Sequence, residues 1–312
     1  GDIIRYWEFF PPVGKQAEGM GVIPVWGFAK VVETKTDEIP LGDRIYGYFP
    51  PASHLKMKPI KVQDQRFFEG AAHRATLPMG YNLYRRVSNE PGYTNEFDRE
   101  RALLFPLYLT SFCLWDSLQN NNWHSAEQIL VLSASSKTSI GLGYALQADA
   151  NAPKTIGITS ARNLTTVQKL TIWNSVLTYD DLHQLDTTKP TVIVDMSGNN
   201  EVLAELHQLL GDNMHFTLKV GLTHWAKTNP NDGIINERSK FFFAPSHVEK
   251  RFKDWGPALF DEKTKAFMLS AAAKTREWLS FNEINGLDAL AKVHPEVCNG
   301  SRSPKEGIIV IL

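Results

Sequence analysis

The sequence predicts an α/β fold, a parallel β-sheet domain joined to a smaller β-rich domain, on three observations. The first hundred residues are rich in Gly, Pro and aromatics and break into short apolar runs. From Gln128 onward, apolar runs of strand length alternate with stretches of helical periodicity. A chain of 312 residues also exceeds what one core ordinarily organises, since domains run from about 50 to 250 residues.

The elements follow in order. Residues 22–33, VIPVWGFAKVVE, alternate loosely and read as strand, turn, strand. Residues 41–49 place a turn at Leu41-Gly42-Asp43 and then a strand over 44–49, and residues 54–60 form another short alternating run. The character changes near Asp98. Leu103, Leu107, Thr110, Leu114 and Leu118 share one helical stripe, which Pro106 is expected to kink or restart. The run QILVLS from Gln128 has the unbroken apolarity of a strand buried on both faces. A helix over 139–149 follows, then strands over 154–160, 175–179, 191–198 and 215–221. Between them, Val167, Leu170 and Trp173 mark one helix face, and Val202, Leu206 and Leu209 mark another. Such alternation argues for parallel strands with right-handed crossovers. The run 240–245, KFFFAP, reads as a buried strand with one ring left for a pocket. Helices are expected over 265–281, with Phe267, Leu269, Ala273 and Trp278 on one face, and over 286–294. The apolar run 307–312 must then join a sheet.

Charge and cysteine content narrow the function classes. The formal net charge is −1, with 43% hydrophobic and 21% charged residues. That supplies no electrostatic reason to expect DNA, RNA or an anionic membrane as partner. No apolar stretch approaches the roughly 20 residues a bilayer span needs. Cys113 and Cys298 are far apart and outside any CxxC spacing, so both read as free thiols in a reducing, cytoplasmic compartment. The opening GDIIRYWEFFPP carries no signal-peptide pattern and starts as if in mid-domain, which leads us to expect an incomplete N-terminus.

The turn after the first strand of a Rossmann unit holds a dinucleotide's pyrophosphate, using glycines and a helix N-terminus. Here it reads Ser133-Ala134-Ser135-Ser136-Lys137-Thr138-Ser139-Ile140-Gly141, in which only Gly141 survives from the glycine fingerprint. Ser135, Ser136 and Thr138 are small and hydroxylated, and Lys137 adds charge. The competing reading is a plain helix-capping loop. A P-loop is rejected because GxxxxGK[ST] is missing. The second strand ends Thr159-Ser160-Ala161-Arg162-Asn163 with no acidic residue for a ribose 2′-hydroxyl. A hydroxyl plus a guanidinium suits a 2′-phosphate, hence NADP, with a surface arginine as the plain alternative.

These landmarks resemble the medium-chain dehydrogenase/reductase superfamily, and within it the zinc-free quinone oxidoreductase-like branch. The segment VIPVWGFAKVVE…LGDRIYGYFP is similar to that family's entry domain, ALLFPLYLTSFCLWDSL to its helix before the cofactor domain, and ILVLSASSKTSIGLGYAL to its phosphate turn. RYWEFFPP, IPVWGFA, SASSKT, VGLTHW, FFFAP with KDWGPA, and GIIVIL resemble most closely the DUF2855 family. The resemblance implies a GroES-like β-rich domain over 1–102, a Rossmann-type NADP-binding domain over 103–250, and a C-terminal stretch over 251–312 returning to the first domain. It also implies hydride transfer from NADPH to a quinone or enone, no catalytic metal, and a homodimer by analogy. The zinc ligands of other members are missing: their His-Glu position reads Val25-Trp26-Gly27-Phe28, and no Cys precedes Cys113.

The chemistry needs a polarised carbonyl and a proton source beside the held cofactor. Tyr48 and Tyr46 follow the GDR turn, either facing substrate or packed in the core. Tyr6 and Trp7 could wall the pocket or be ordinary core aromatics. Thr110 falls where the resemblance places a nicotinamide contact. Asp195 and Ser197 end the fourth strand, and Gly221, Thr223, His224 and Trp225 end the fifth, where such sheets bind ligands. His224 is the one acid–base histidine candidate, with His54 a weaker version. Two readings stay open: an NADP(H)-dependent reductase of a small carbonyl-containing substrate, and a non-catalytic or degenerate member that binds a nucleotide or other ligand.

Overall fold

In this computed structural model, residues 5–12, 19–221 and 233–312 are described. The chain divides into two compact units, Gly1–Pro106 with Thr275–Leu312, and Leu107–Lys274. The return to the first unit therefore comes at Thr275.

The first unit carries five antiparallel strands, β1 (Val25–Lys30), β2 (Arg44–Phe49), β3 (Pro59–Ile60), β4 (Arg66–Glu69) and β5 (Leu83–Arg86), in the order β1-β2-β5-β4-β3. Residues 22–33 hold one strand, Val25–Lys30, and not two. Gly27 sits opposite Gly47 in the middle of the β1–β2 pair, so it supplies no turn. Gly47 is required there, because a Cβ would lie 2.3 Å from the Tyr84 ring. Ile39, Ile45, Phe49, Phe67 and Tyr84 make the core of this sheet. Arg74, almost fully buried, is satisfied by Asn82 Oδ1 at 2.8 Å, Tyr81 O at 2.7 Å and Tyr84 Oη at 3.1 Å.

Helix α1 (Asp98–Asn120) runs through Pro106 without a restart. Burial of Leu104, Tyr108, Phe112, Leu114 and Leu118 outweighs one missing backbone bond, a loss of roughly 3 kcal/mol.

The second unit holds the parallel strands β6 (Gln128–Leu132), β7 (Lys154–Thr159), β8 (Ser175–Thr178), β9 (Thr191–Asp195), β10 (Met214–Lys219) and β11 (Ser239–Phe241), in the order β11-β10-β9-β6-β7-β8. Every residue of β6 and β9 is buried, which is why both read as continuous apolar runs. Helices α2 (Lys137–Ala148), α3 (Leu164–Lys169) and α4 (Asn200–Leu210) lie between strands. α3 is shorter than its apolar periodicity predicts. Thr171 adopts a left-handed backbone (φ 53°) two residues after its end, so Trp173 lies off the helix and packs instead against Gly143 and Gly157. β11 is an edge strand with Phe241 39% exposed, which corrects the reading of 240–245 as buried.

α5 (Ala244–Trp255) and α6 (Pro257–Thr275) follow, separated by Gly256 at φ 79°. α6 ends at Thr275, so residues 265–281 are not one helix. Trp278 lies past its end, Leu269 is 46% exposed, and the buried positions in that stretch are Ala271, Ala272, Thr275 and Leu279. Back in the first unit, β12 (Ser280–Asn285) and β13 (Glu306–Ile311) form a two-stranded parallel sheet joined by α7 (Gly286–Cys298). The terminal run thus does join a sheet. No helix among the described residues is long and apolar enough to cross a membrane.

Candidate functional site

Counting the second unit's strands from β6, the sheet order is 3-2-1-4-5-6 read from β8 to β11. The order reverses between β6 and β9, which pair in register from Gln128↔Thr191 to Leu132↔Asp195. Both strands end level, so their following turns lie side by side. In open α/β sheets this switch point is where a crevice forms and ligands bind.

The turn after β6 is built from serines and tied down residue by residue. Ser133 is left-handed (φ 57°), a conformation that favours glycine. Its amide donates to Tyr179 Oη at 2.9 Å. Ala134 N donates to Ile158 O, and Ser136 N to Ser133 O, both at 2.9 Å. Ser135 Oγ accepts from Asn163 Nδ2 at 3.1 Å. Ser136 caps α2, its hydroxyl accepting from Ser139 N at 3.2 Å. The helix dipole makes this end of α2 suited to an anion. Lys137 and Thr138, half-buried, open the helix, and Thr138 O accepts from Ser111 Oγ at 2.7 Å. One turn on, Gly141 has room for nothing larger: a Cβ would lie 2.5 Å from the Tyr108 ring and 2.6 Å from Ser111 Oγ. The one fingerprint glycine that survives is the one that lets α2 press against α1.

At the end of β7, Thr159 is 1% exposed and its hydroxyl finds no hydrogen-bond partner among the described residues. Ser160 is half-buried, and a short turn, Ala161–Asn163, leaves Arg162 exposed while Asn163 reaches back to Ser135. The loops after β6, β7 and β8 are thus connected through side chains of Ser135, Asn163 and Tyr179. An orphaned buried hydroxyl, a helix N-terminus and an exposed guanidinium at one sheet edge fit a dinucleotide phosphate.

The turn after β9 is closed by its own residues. Asp195 Oδ1 accepts from Ser197 N at 2.8 Å, Ser197 Oγ at 2.7 Å and Gly198 N at 3.1 Å. Burial raises the Asp195 pKa despite these donors. Ser197 spends its proton on Asp195, which makes its hydroxyl a turn-closing group. The Asp195 carbonyl accepts from Val220 N and Gly221 N, and a Cβ on Gly221 would lie 2.0 Å from Met196 O. Thr223, His224 and Trp225 lie outside the described residues.

In the first unit, Tyr48 is buried among rings, with centroids 4.9 Å from Tyr81, 5.2 Å from Trp26 and 5.4 Å from Phe9. Burial raises its phenol pKa, so it remains protonated across neutral pH. Tyr46 donates to Arg101 O at 3.1 Å and is a core residue. Tyr6 shares a 2.9 Å hydrogen bond with Tyr81, while Trp7 is partly exposed. His54 is exposed, its Nδ1 at 3.0 Å from Ser53 Oγ. Thr110 is half-buried on α1, within the second unit. A groove of about 1650 Å³ in the first unit runs along β1 and β13 and includes His54 on its wall. Among the described residues no group of three or more His, Cys, Asp or Glu is placed to hold a metal ion.

Ten of the cofactor candidates, Ser135, Ser136, Lys137, Thr138, Gly141, Ser160, Arg162, Asn163, Ser197 and Gly221, belong to elements that begin or end at the carboxyl edge of one sheet. Sequence reasoning missed Tyr179 and Tyr81. The only local signal for Tyr179 is its place directly after a strand.

No curated protein matches the chain in sequence. Solved structures match in fold. A quinone oxidoreductase of Escherichia coli complexed with NADPH superposes with a TM-score of 0.55 at 16% identity, over 100% of this chain and 88% of the other. CurA from Vibrio vulnificus gives 0.60 at 12%, over 96% and 84%. The yhdH oxidoreductase from Salmonella enterica in complex with NADP gives 0.55 at 13%, again over 96% and 84%. The fold is that of a Rossmann-type sheet domain with a GroES-like domain, as the sequence predicts. The family described as "Protein of unknown function (DUF2855)" matches residues 1–303, and the chain belongs to that family.

Proposed function

We propose that the chain is an NADP(H)-dependent oxidoreductase of the quinone or enone reductase type, acting without a metal on a small carbonyl-containing substrate. The observation that carries this reading is the switch point between β6 and β9, with an anion-suited turn on one side and no acidic residue at the end of β7. Structures of the same fold with NADPH or NADP bound support it.

The N-terminus of α2, with Ser135, Ser136, Lys137 and Thr138, would receive the diphosphate. Ser160 and Arg162 would take the 2′-phosphate, the guanidinium through paired charge-assisted bonds. Thr159 supplies a desolvated hydroxyl whose unmet hydrogen bond a ribose could satisfy. Thr110 would face the nicotinamide. The bound cofactor would supply a hydride. Tyr48, held protonated by its aromatic surroundings, is a candidate to polarise the substrate oxygen, and His224 is a second candidate proton donor.

Arg162→Ala tests the cofactor assignment. NADPH affinity should fall about tenfold or more while NADH affinity stays within about twofold. Equal losses for both cofactors would exclude a 2′-phosphate contact. NADPH oxidation by a panel of quinones and enones, undiminished by a chelator, tests the reaction. Binding of NADPH without turnover of any of them would favour a ligand-binding member that has lost catalysis.

A further inference from the structure

Serine in the left-handed region raises a question that the NADP(H) reading alone does not answer. Ser133 occupies a backbone conformation that residues with a Cβ rarely adopt, at the first position of the turn. In that conformation its amide points to Tyr179 Oη, 2.9 Å away, and the two residues are 46 apart in sequence. Tyr179 is itself well held. Its ring packs against the core cluster of Leu130, Leu132, Ile156 and Ile158, and Thr178 Oγ1 donates to Asp181 Oδ2 at 2.5 Å across the turn that carries it.

We infer that Tyr179 is a positioning residue that holds Ser133 left-handed, so that the turn keeps a phosphate-accepting shape without its glycine. This rests on the NADP(H) reading. The remaining bonds agree with it. Once Ser133 is fixed, Ala134 N can join the β7 backbone at Ile158 O, and Ser133 O is presented to Ser136 N, the residue that caps α2. Loss of the Tyr179 hydroxyl leaves a part-buried amide without its acceptor and frees Ser133 to leave the left-handed region. A glycine at 133 adopts that region at no steric cost, so it should make Tyr179 dispensable. A tyrosine that touched the cofactor directly would show no such relation to residue 133.

The test is a double-mutant cycle on the whole chain, comparing wild type, Tyr179→Phe, Ser133→Gly and the double variant. NADPH and NADH are titrated by tryptophan fluorescence, and the Ser133 amide is followed by hydrogen exchange without cofactor. Tyr179→Phe should weaken both cofactors about tenfold and speed exchange at Ser133. Ser133→Gly alone should bind within about twofold of wild type, and the double variant should recover to within about threefold. A Tyr179→Phe loss confined to NADPH and not restored by Ser133→Gly would overturn the inference in favour of direct 2′-phosphate contact. Unchanged binding and exchange in Tyr179→Phe would overturn it outright. Wild-type protein that binds neither cofactor would remove the NADP(H) reading itself, and the inference with it.

Discussion

The two halves of the parallel sheet solve the same problem differently. Around β6, β7 and β8, the loops at the carboxyl edge are held by side chains from one another, Tyr179 to Ser133 and Asn163 to Ser135. Around β9, the Asp195 carboxylate is satisfied within its own turn, by the two residues after Met196. The first arrangement ties three loops together beside a helix N-terminus. The second closes one turn on itself. The two edges are therefore distinguishable by where their hydrogen bonds end.

The largest effect should come from opening the self-contained half. Asp195→Ala leaves two backbone amides and the Ser197 hydroxyl without their acceptor, a loss of about 3 kcal/mol in unfolding by urea. Asp195→Asn keeps an acceptor oxygen and removes a carboxylate whose ionisation burial opposes. Its stability at neutral pH should lie within about 1 kcal/mol of wild type. A cost as large as the alanine's would show that charge, and not the acceptor, closes this turn.

His207 should make the same half sensitive to acid. It is almost fully buried, its Nδ1 accepting from Ile235 N at 2.9 Å, so that Nε2 carries the proton toward Thr217 Oγ1. Burial pushes its pKa down to about 4, against an ordinary 6.5. The unfolded chain thus binds the extra proton first. The contribution is complete above pH 6.5 and is lost as pH falls from there toward 4, roughly 3 kcal/mol in all. Unfolding followed across that window should show the slope in wild type and a shallower one in His207→Gln. Identical slopes would refute the assignment.

A smaller effect should mark the half around β6, β7 and β8. Gly141→Ala places a Cβ against Tyr108 and Ser111, and α2 must shift to admit it, at roughly 1–2 kcal/mol. Because the shift moves the helix N-terminus, NADPH affinity should fall along with stability. A stability loss with unaltered affinity would separate α2 packing from the phosphate turn.

What was legible in the sequence follows from locality. β6 and β9 are buried at every position, so their apolarity names them without any tertiary knowledge. The run of small residues from Ser133 and the missing acid after β7 are likewise read from adjacent residues. The left-handed Ser133 is not, because it depends on Tyr179, nor is the Asn163 bridge across 28 residues. The early end of α3 depends on Thr171 taking a glycine's conformation, which its side chain gives no reason to expect. The sequence leaves Tyr48 either facing substrate or packed in the core. The rings of Tyr81 and Trp26 around it show its burial, and they come from β1 and from the turn Met79–Tyr81, far apart in sequence.

The most direct test of the central claim is a parallel titration of wild-type protein with NADPH and NADH, read by tryptophan fluorescence on a sample shown to be folded. The account predicts saturable binding of NADPH, at least about tenfold tighter than NADH. Binding of neither, or a preference for NADH, would contradict it.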